Sequence, residues 1–137
     1  MRKLVCLIGF IIALTACGKQ DQSYIPSVAV NYQAPLTDPR LSRLNAIGGS
    51  VTVPGGVSGI IIYRASASSY VAFDRCSSYQ PERRCAVTID DTGLTATDPC
   101  SGSKFLLSDG SPVKAPATRS LRTYSVSVNN ISIFVYN

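Results

Sequence analysis

The segment Gly59-Ile60-Ile61-Ile62-Tyr63-Arg64 restricts the fold more than any other part of the chain. Its β-branched and aromatic residues fall on both faces of an extended backbone, so a strand built from it needs cover on both sides. Gly59 before it and the small polar run Ala65 to Ser69 after it leave no room for a buried helix. Tyr70-Val71-Ala72-Phe73-Asp74 then reads as its hairpin partner. The same grammar of short strand and turn continues elsewhere. Ser50 to Val53 lies between Gly48-Gly49 and Pro54-Gly55-Gly56, and Cys85, Val87 and Ile89 alternate with Ala86, Thr88 and Asp90. Asp91-Thr92-Gly93 turns the chain into Leu94 to Thr97, and Lys104 to Leu107 ends at Asp109-Gly110. Tyr124, Val126 and Val128 alternate with polar residues and turn at Asn129-Asn130 into Ile131, Ile133 and Val135. These runs predict an all-β domain over 41–137, a sandwich or barrel of about eight short antiparallel strands with two irregular loops at one end. Leu41 to Leu44 reads as one helical turn, and the chain past the leader has neither a sustained helical period nor an internal repeat.

The amino terminus carries a different signal. Arg2 and Lys3 precede an apolar run from Leu4 to Leu14 that is too short for a membrane-spanning helix, which needs ~20 apolar residues. It has the length of a signal-peptide core. The following Leu14-Thr15-Ala16-Cys17 resembles the lipobox of bacterial lipoproteins. That resemblance implies cleavage after residue 16 and acylation of Cys17, which would tie the protein to membrane lipid outside the cytoplasm. Gly18 stands where an aspartate marks inner-membrane retention in some bacteria, which favours the outer membrane. Residues 17–40 are polar, with Pro26 and Pro35, and read as the lipidated terminus and tether, partly ordered near Val28 to Val30.

What the chain lacks narrows its chemistry further. It has no histidine, which removes Ser-His-Asp and Cys-His catalysis, most zinc sites and the usual proton shuttle near neutral pH. Removing the leader leaves 11 basic and 8 acidic groups among 121 residues, a net charge of +3 without a basic stripe. Nucleic acid is therefore not an expected partner. No glycine-rich phosphate loop leads into a helix. Asp90-Asp91 reads as a solvated turn whose side chains diverge. Cysteine usage suits an oxidising compartment: Cys76, Cys85 and Cys100 remain beyond the lipidation site, an odd number that implies one disulfide and one spare thiol. Cys100 is expected to bond to Cys85 or to Cys76, both pairings being open.

Two loop sequences carry a second resemblance. Phe73-Asp74-Arg75-Cys76-Ser77-Ser78 and Asp98-Pro99-Cys100-Ser101-Gly102-Ser103-Lys104-Phe105 are followed by Asp109-Gly110, Pro116-Ala117-Thr118 and a closing hairpin. From about Gly49 to Val135 this order resembles a Rieske domain, whose loops read Cys-X-His and Cys-Pro-X-His-Gly-Ser-X-Phe. The frame matches at Pro99, Gly102, Ser103 and Phe105, while the ligands do not. A Rieske [2Fe–2S] centre takes two cysteines and two histidines. The corresponding positions here are Cys76, Ser78, Asp98 and Ser101, so one ligand of four is kept. Cys100 falls where some Rieske proteins place a loop-tying disulfide cysteine. The resemblance implies a domain with no cluster, no other cofactor and no metal. A competing set, Cys76, Cys85, Cys100 and Asp98, offers three sulfurs and one oxygen acceptable to zinc, but its spacing departs from a zinc knuckle. The expected function is a non-enzymatic, membrane-tethered binding or structural module with an envelope protein as partner. The alternatives are an electron-transfer [2Fe–2S] protein or an accessory subunit of an oxidoreductase. Tyr79, Pro81, Arg83 and Arg84 near the first loop and Lys104 near the second read first as solvated loop residues.

Overall fold

The structure is a computed structural model that describes residues 24–137, so the expected leader and Cys17 lie outside the described residues. It contains ten strands: β1 (Asn31–Pro35), β2 (Ser50–Val53), β3 (Ile60–Arg64), β4 (Tyr70–Asp74), β5 (Thr88–Ile89), β6 (Thr95–Thr97), β7 (Lys104–Leu106), β8 (Pro112–Lys114), β9 (Thr123–Val128) and β10 (Ser132–Tyr136). They form a six-stranded sheet in the order β1-β10-β9-β4-β3-β2 and a four-stranded sheet in the order β5-β6-β7-β8. All neighbouring pairs run antiparallel. A 3₁₀ turn at Pro39–Asn45, opened by the Asp38 side chain accepting from the Arg40 amide, puts Leu41 and Leu44 under the larger sheet. No helix among the described residues is long and apolar enough to cross a membrane.

β3 is buried on both faces, as its sequence requires. Ile60 and Ile62 enter one core with Val51, Val53, Leu41, Leu44 and Ile133. Ile61 and Tyr63, pointing the other way, enter a second core with Phe73, Val87, Phe105, Leu107 and Leu121. Period-two alternation along one strand thus supplies both cores. Gly110 permits the second to close: it sits at φ +78°, and a Cβ there would press into the Phe73 ring at 2.7 Å.

The folded body starts earlier than residue 41, which corrects the expected tether. Asn31–Pro35 pairs with β10 from Asn31↔Tyr136 to Pro35↔Ser132. Ala34 and Val30 are buried, and so is Ile25. The strand escaped the sequence pattern because polar Asn31 and Gln33 and the terminal Pro35 hide a short edge strand. β8 escaped for the same reason, being three residues long and opened by Pro112. The strand expected from Cys85 shrinks to Thr88–Ile89, preceded by a single bridge between Cys76 and Ala86.

Asp74, the last residue of β4, is fully buried and ties four groups together. It accepts from the amides of Val57 (2.6 Å), Ser58 (3.2 Å) and Cys76 (2.8 Å) and from the Tyr124 hydroxyl (2.6 Å). The side chain fits only because residue 56 is glycine, since a Cβ there would overlap Asp74 Oδ2. Burial, followed by the Asp74 bond, raises the Tyr124 phenol above its ordinary value. Asp90 is likewise more than a solvated turn residue. It accepts from Thr95, Thr97 and the Lys104 ammonium at 2.6, 2.6 and 2.7 Å, fastening three strand segments of the smaller sheet.

Two outcomes follow. Asp74→Ala strands three amides and a phenol, and is expected to lower unfolding stability by more than ~3 kcal/mol, against about 1–2 kcal/mol for Tyr124→Phe. Urea denaturation of the two variants checks the ranking. For Asp90, burial alone would raise the carboxyl, but hydrogen bonds from Lys104, Thr95 and Thr97 outweigh it and hold the pKa at about 2, below its ordinary 3.8. Its contribution is therefore present above about pH 4 and lost as pH falls through about 2. Urea midpoints measured from pH 5 to pH 2 should fall more steeply for the wild type than for Asp90→Asn.

Candidate functional site

Both irregular loops leave the sheets at the same end. Loop 1 (75–87) follows β4, and loop 2 (98–103) joins β6 to β7. They open with one device. Asp74 Oδ1 accepts from the Cys76 amide at 2.8 Å, and Asp98 Oδ1 accepts from the Cys100 amide at 2.8 Å. Each Asp-X-Cys is an Asx turn, in which a short carboxyl side chain stands in for a backbone acceptor two residues on.

The loops are covalently joined by a disulfide between Cys85 and Cys100, whose Cα atoms are 6.2 Å apart. This selects one of the two pairings left open by the sequence. Among the described residues Cys76 is the free thiol, fully buried, donating to the carbonyls of Ser77 (3.7 Å) and Pro81 (3.5 Å). Burial, reinforced by nearby Asp74, pushes its pKa up, so it stays protonated.

Asp98 has no solvent exposure and is the centre of loop 2. Its carboxylate accepts from Ser101 Oγ at 2.6 Å, and its main chain closes the loop through Asp98 N to Ser103 O and Gly102 N to Asp98 O. Burial works against the charge, but hydrogen bonds from the Ser101 and Ser77 side chains and the amides of Cys100 and Ser101 outweigh it and lower the pKa. Ser101 and Ser103 share a hydroxyl bond of 2.9 Å, and Ser103 Oγ accepts from the Ala117 amide at 3.0 Å. From loop 1, Ser78 Oγ donates to the Arg119 carbonyl at 2.6 Å. Both loops therefore rest on a third segment, residues 115–121. Ser103 was singled out only as a frame match, and Ser77 and Ala117 were given no role, although the repeated Asp-X-Cys was a visible cue.

Of the four aligned positions, Ser101 is bonded to Asp98, Cys76 lies within the influence of the Asp98 charge, and Ser78 is bonded to the Arg119 carbonyl. The zinc-type set is only partly assembled: ligand atoms of Cys85, Asp98 and Cys100 come within 4.8 Å of one another, without Cys76, and the two sulfurs are spent on each other. Tyr79 packs against the second core, Pro81 is buried, and Lys104 is bonded to Asp90, so these three form no patch with the exposed Arg83 and Arg84.

No protein-family model matches the sequence, and comparison with curated proteins finds no match. Solved structures do match. The cyanobacterial plasma membrane Rieske protein PetC3 from Synechocystis PCC 6803 superposes with a TM-score of 0.55 at 21% identity, covering 81% of this chain and 100% of that one. The ferredoxin of carbazole 1,9a-dioxygenase from Nocardioides aromaticivorans IC177 gives a TM-score of 0.51 at 19% identity, covering 80% and 98%. The chain has the Rieske fold.

A Rieske cluster needs two thiolates on one iron and two imidazoles on the other. The residues present do not fit it. One protonated thiol, two hydroxyls and one carboxylate stand at the four positions, and all four groups are engaged within the protein. Hard oxygen donors are poor partners for this centre, and a thiol must lose its proton to ligate. The disulfide, closing a sequence separation of 15, supplies a link between the loops worth about 3 kcal/mol in the chain-entropy model. Reduction with a phosphine should therefore lower the thermal midpoint by several degrees, and the Cys85→Ser/Cys100→Ser variant should match the reduced protein. A chelator such as EDTA should leave the midpoint unchanged. Calorimetry of all four samples reads this directly.

Proposed function

We propose that this is a lipid-anchored protein of the bacterial cell envelope whose Rieske-fold domain works without a cluster, as a non-enzymatic binding or structural module. The observation that carries the reading is the chemistry of the loop end. Where a Rieske centre has four soft or imidazole ligands, this chain has a buried Asp98–Ser101–Ser103 network, a protonated Cys76 and a Cys85–Cys100 crosslink. The loops keep a defined shape by hydrogen bonds and one covalent bond, which leaves them suited to contact rather than to redox chemistry. The absence of histidine from the whole sequence supports the same reading. The envelope location rests on the apolar leader and on Leu14-Thr15-Ala16-Cys17, with Gly18 favouring the outer membrane.

Two measurements test the halves of this proposal separately. Protein purified from its native envelope under mild conditions should carry no iron and show no visible absorption. An intense visible band with about two irons per chain, the content of a [2Fe–2S] centre, would overturn the cluster-free reading. Intact mass of the mature protein should correspond to a chain starting at Cys17 with acyl groups added, and Cys17→Ser should shift the protein from the membrane to the soluble fraction. Density-gradient separation should place the wild type with the outer membrane.

A further inference from the structure

We infer that the free edge of β2 takes up an extended segment of another protein as an added strand, with an acidic side chain of that segment over Arg43. This goes beyond the binding role proposed above, because it places a contact outside the two loops and names what fits it. β2 is an outermost strand of the larger sheet. The Gly49 carbonyl accepts from the Arg64 amide, so along the register from Ser50↔Tyr63 to Val53↔Ile60 the ladder bonds fall at Val51 and Val53. The amides and carbonyls of Ser50 and Thr52 therefore point away from β3, and they have no partner among the described residues. The other outer strands are blunted: β1 ends in Pro35, β8 opens with Pro112, and β5 has two residues. β2, reading Ser-Val-Thr-Val, has neither proline nor charge, the features that ordinarily keep an edge from pairing.

The edge lies along a groove. Two hollows of about 220 and 460 Å³ share Arg43, Ser50 and Ile89 in their walls. The smaller has Arg40 and Arg43 of the 3₁₀ turn on one side and Ile89 of β5 on the other, with Ser50, Val51 and Thr52 between them. The larger continues past Gly48 and Gly49 to Asp91 and Gly93. Ser50 lines both, is 6% exposed, and its hydroxyl has no hydrogen-bond partner among the described residues. A row of open main-chain donors and acceptors at strand spacing suits a polypeptide backbone, not a compact ligand.

Sidedness and charge define the segment. Val51 and Val53 enter the core with Leu41 and Leu44 of the 3₁₀ turn, so Ser50 and Thr52 face the opposite way. In antiparallel pairing, residues opposite Ser50 and Thr52 share that face and take the open hydrogen bonds, which places their side chains toward Ile89. The residue between them, opposite Val51, points toward the 3₁₀ turn. Arg40 there is already paired with Asp38, whereas Arg43 is exposed and has no ion pair among the described residues. At the other end of the groove Asp90 is held by Lys104, and the exposed Asp91 repels a second acid. The complementary pattern is therefore one acidic residue between two apolar ones. A second copy of the chain fits poorly, since antiparallel pairing of two β2 edges sets both 3₁₀ turns on one face, with Arg43 toward Arg43.

The test titrates the purified, nitrogen-15-labelled protein with the peptide acetyl-Thr-Val-Glu-Val-Thr-amide. In the free protein the Ser50 and Thr52 amides should exchange with solvent about ten-fold or more faster than those of Val51 and Val53. The peptide should shift the β2 resonances and slow exchange at Ser50 and Thr52 about ten-fold at saturation. Replacing its glutamate by lysine should weaken binding about five-fold, as for an exposed ion pair, and Arg43→Glu should reverse that preference. N-methylation of both valines should abolish binding, and Thr52→Pro, which removes one edge amide, should weaken it about ten-fold. If Thr52→Pro fails to fold, the methylated peptide and Arg43→Glu read the same contact. Slow exchange at Ser50 and Thr52 in the free protein, or no binding of either peptide at millimolar concentration, sinks the inference. So does equal binding of the two peptides, tolerance of methylation, or a dimer built through β2. Iron content, which tests the cluster-free reading, plays no part in these measurements, so the two proposals fail separately.

Discussion

Strand β3 separates two cores and belongs to both. Three successive isoleucines, all fully buried, send alternate side chains into the layer covered by Leu41 and Leu44 and into the layer between the two sheets. Full burial of one such side chain contributes roughly 1.5–3 kcal/mol, so a few residues hold both layers to a common wall. The wall also sets the geometry of the loop end. Ile60 pairs with Asp74, and Asp74 then takes amides from the 55–58 turn and from the second residue of the loop beyond it. Packing along β3 thus determines where loop 1 begins, and the buried carboxyl group determines the direction in which it leaves.

This division of labour explains how the two loops of this Rieske fold hold their shape. Loop shape comes from inside the protein: Asp74 and Asp98 start the two loops, residues 115–121 support both, and Cys85–Cys100 joins them. A buried polar network is costly if half satisfied, and Asp98 meets that demand by drawing on hydroxyls of both loops and on amides of its own. Serine at 101 serves here as a hydrogen-bond donor to Asp98. Fold and site chemistry separate cleanly here, as they do across widely shared architectures.

Much of the fold was legible because β-branched runs and turn residues alternate so plainly between Ser50 and Val135. The edge strands were not: β1 and β8 are short and carry prolines, and β1 also owes its existence to β10 at the other end of the chain. The disulfide was legible as chemistry but not as a pairing. Choosing Cys85 over Cys76 needs the bridge between Cys76 and Ala86, which turns the Cys76 thiol inward. Asp90 was misread for a similar reason: adjacency to Asp91 suggested a solvated turn, while the Lys104 side chain that engages it arrives from another strand.

The repeated Asp-X-Cys offers a physical account of how this loop end keeps its form. In both copies the aspartate binds the amide two residues on, so the cysteine backbone is positioned whatever its sulfur does. One sulfur is then free to be a buried thiol and the other to form a crosslink, with the main chain unchanged in outline. The arrangement also removes two negative charges from the surface, since Asp74 and Asp98 are both fully buried. Arg83 and Arg84, in loop 1, stay exposed.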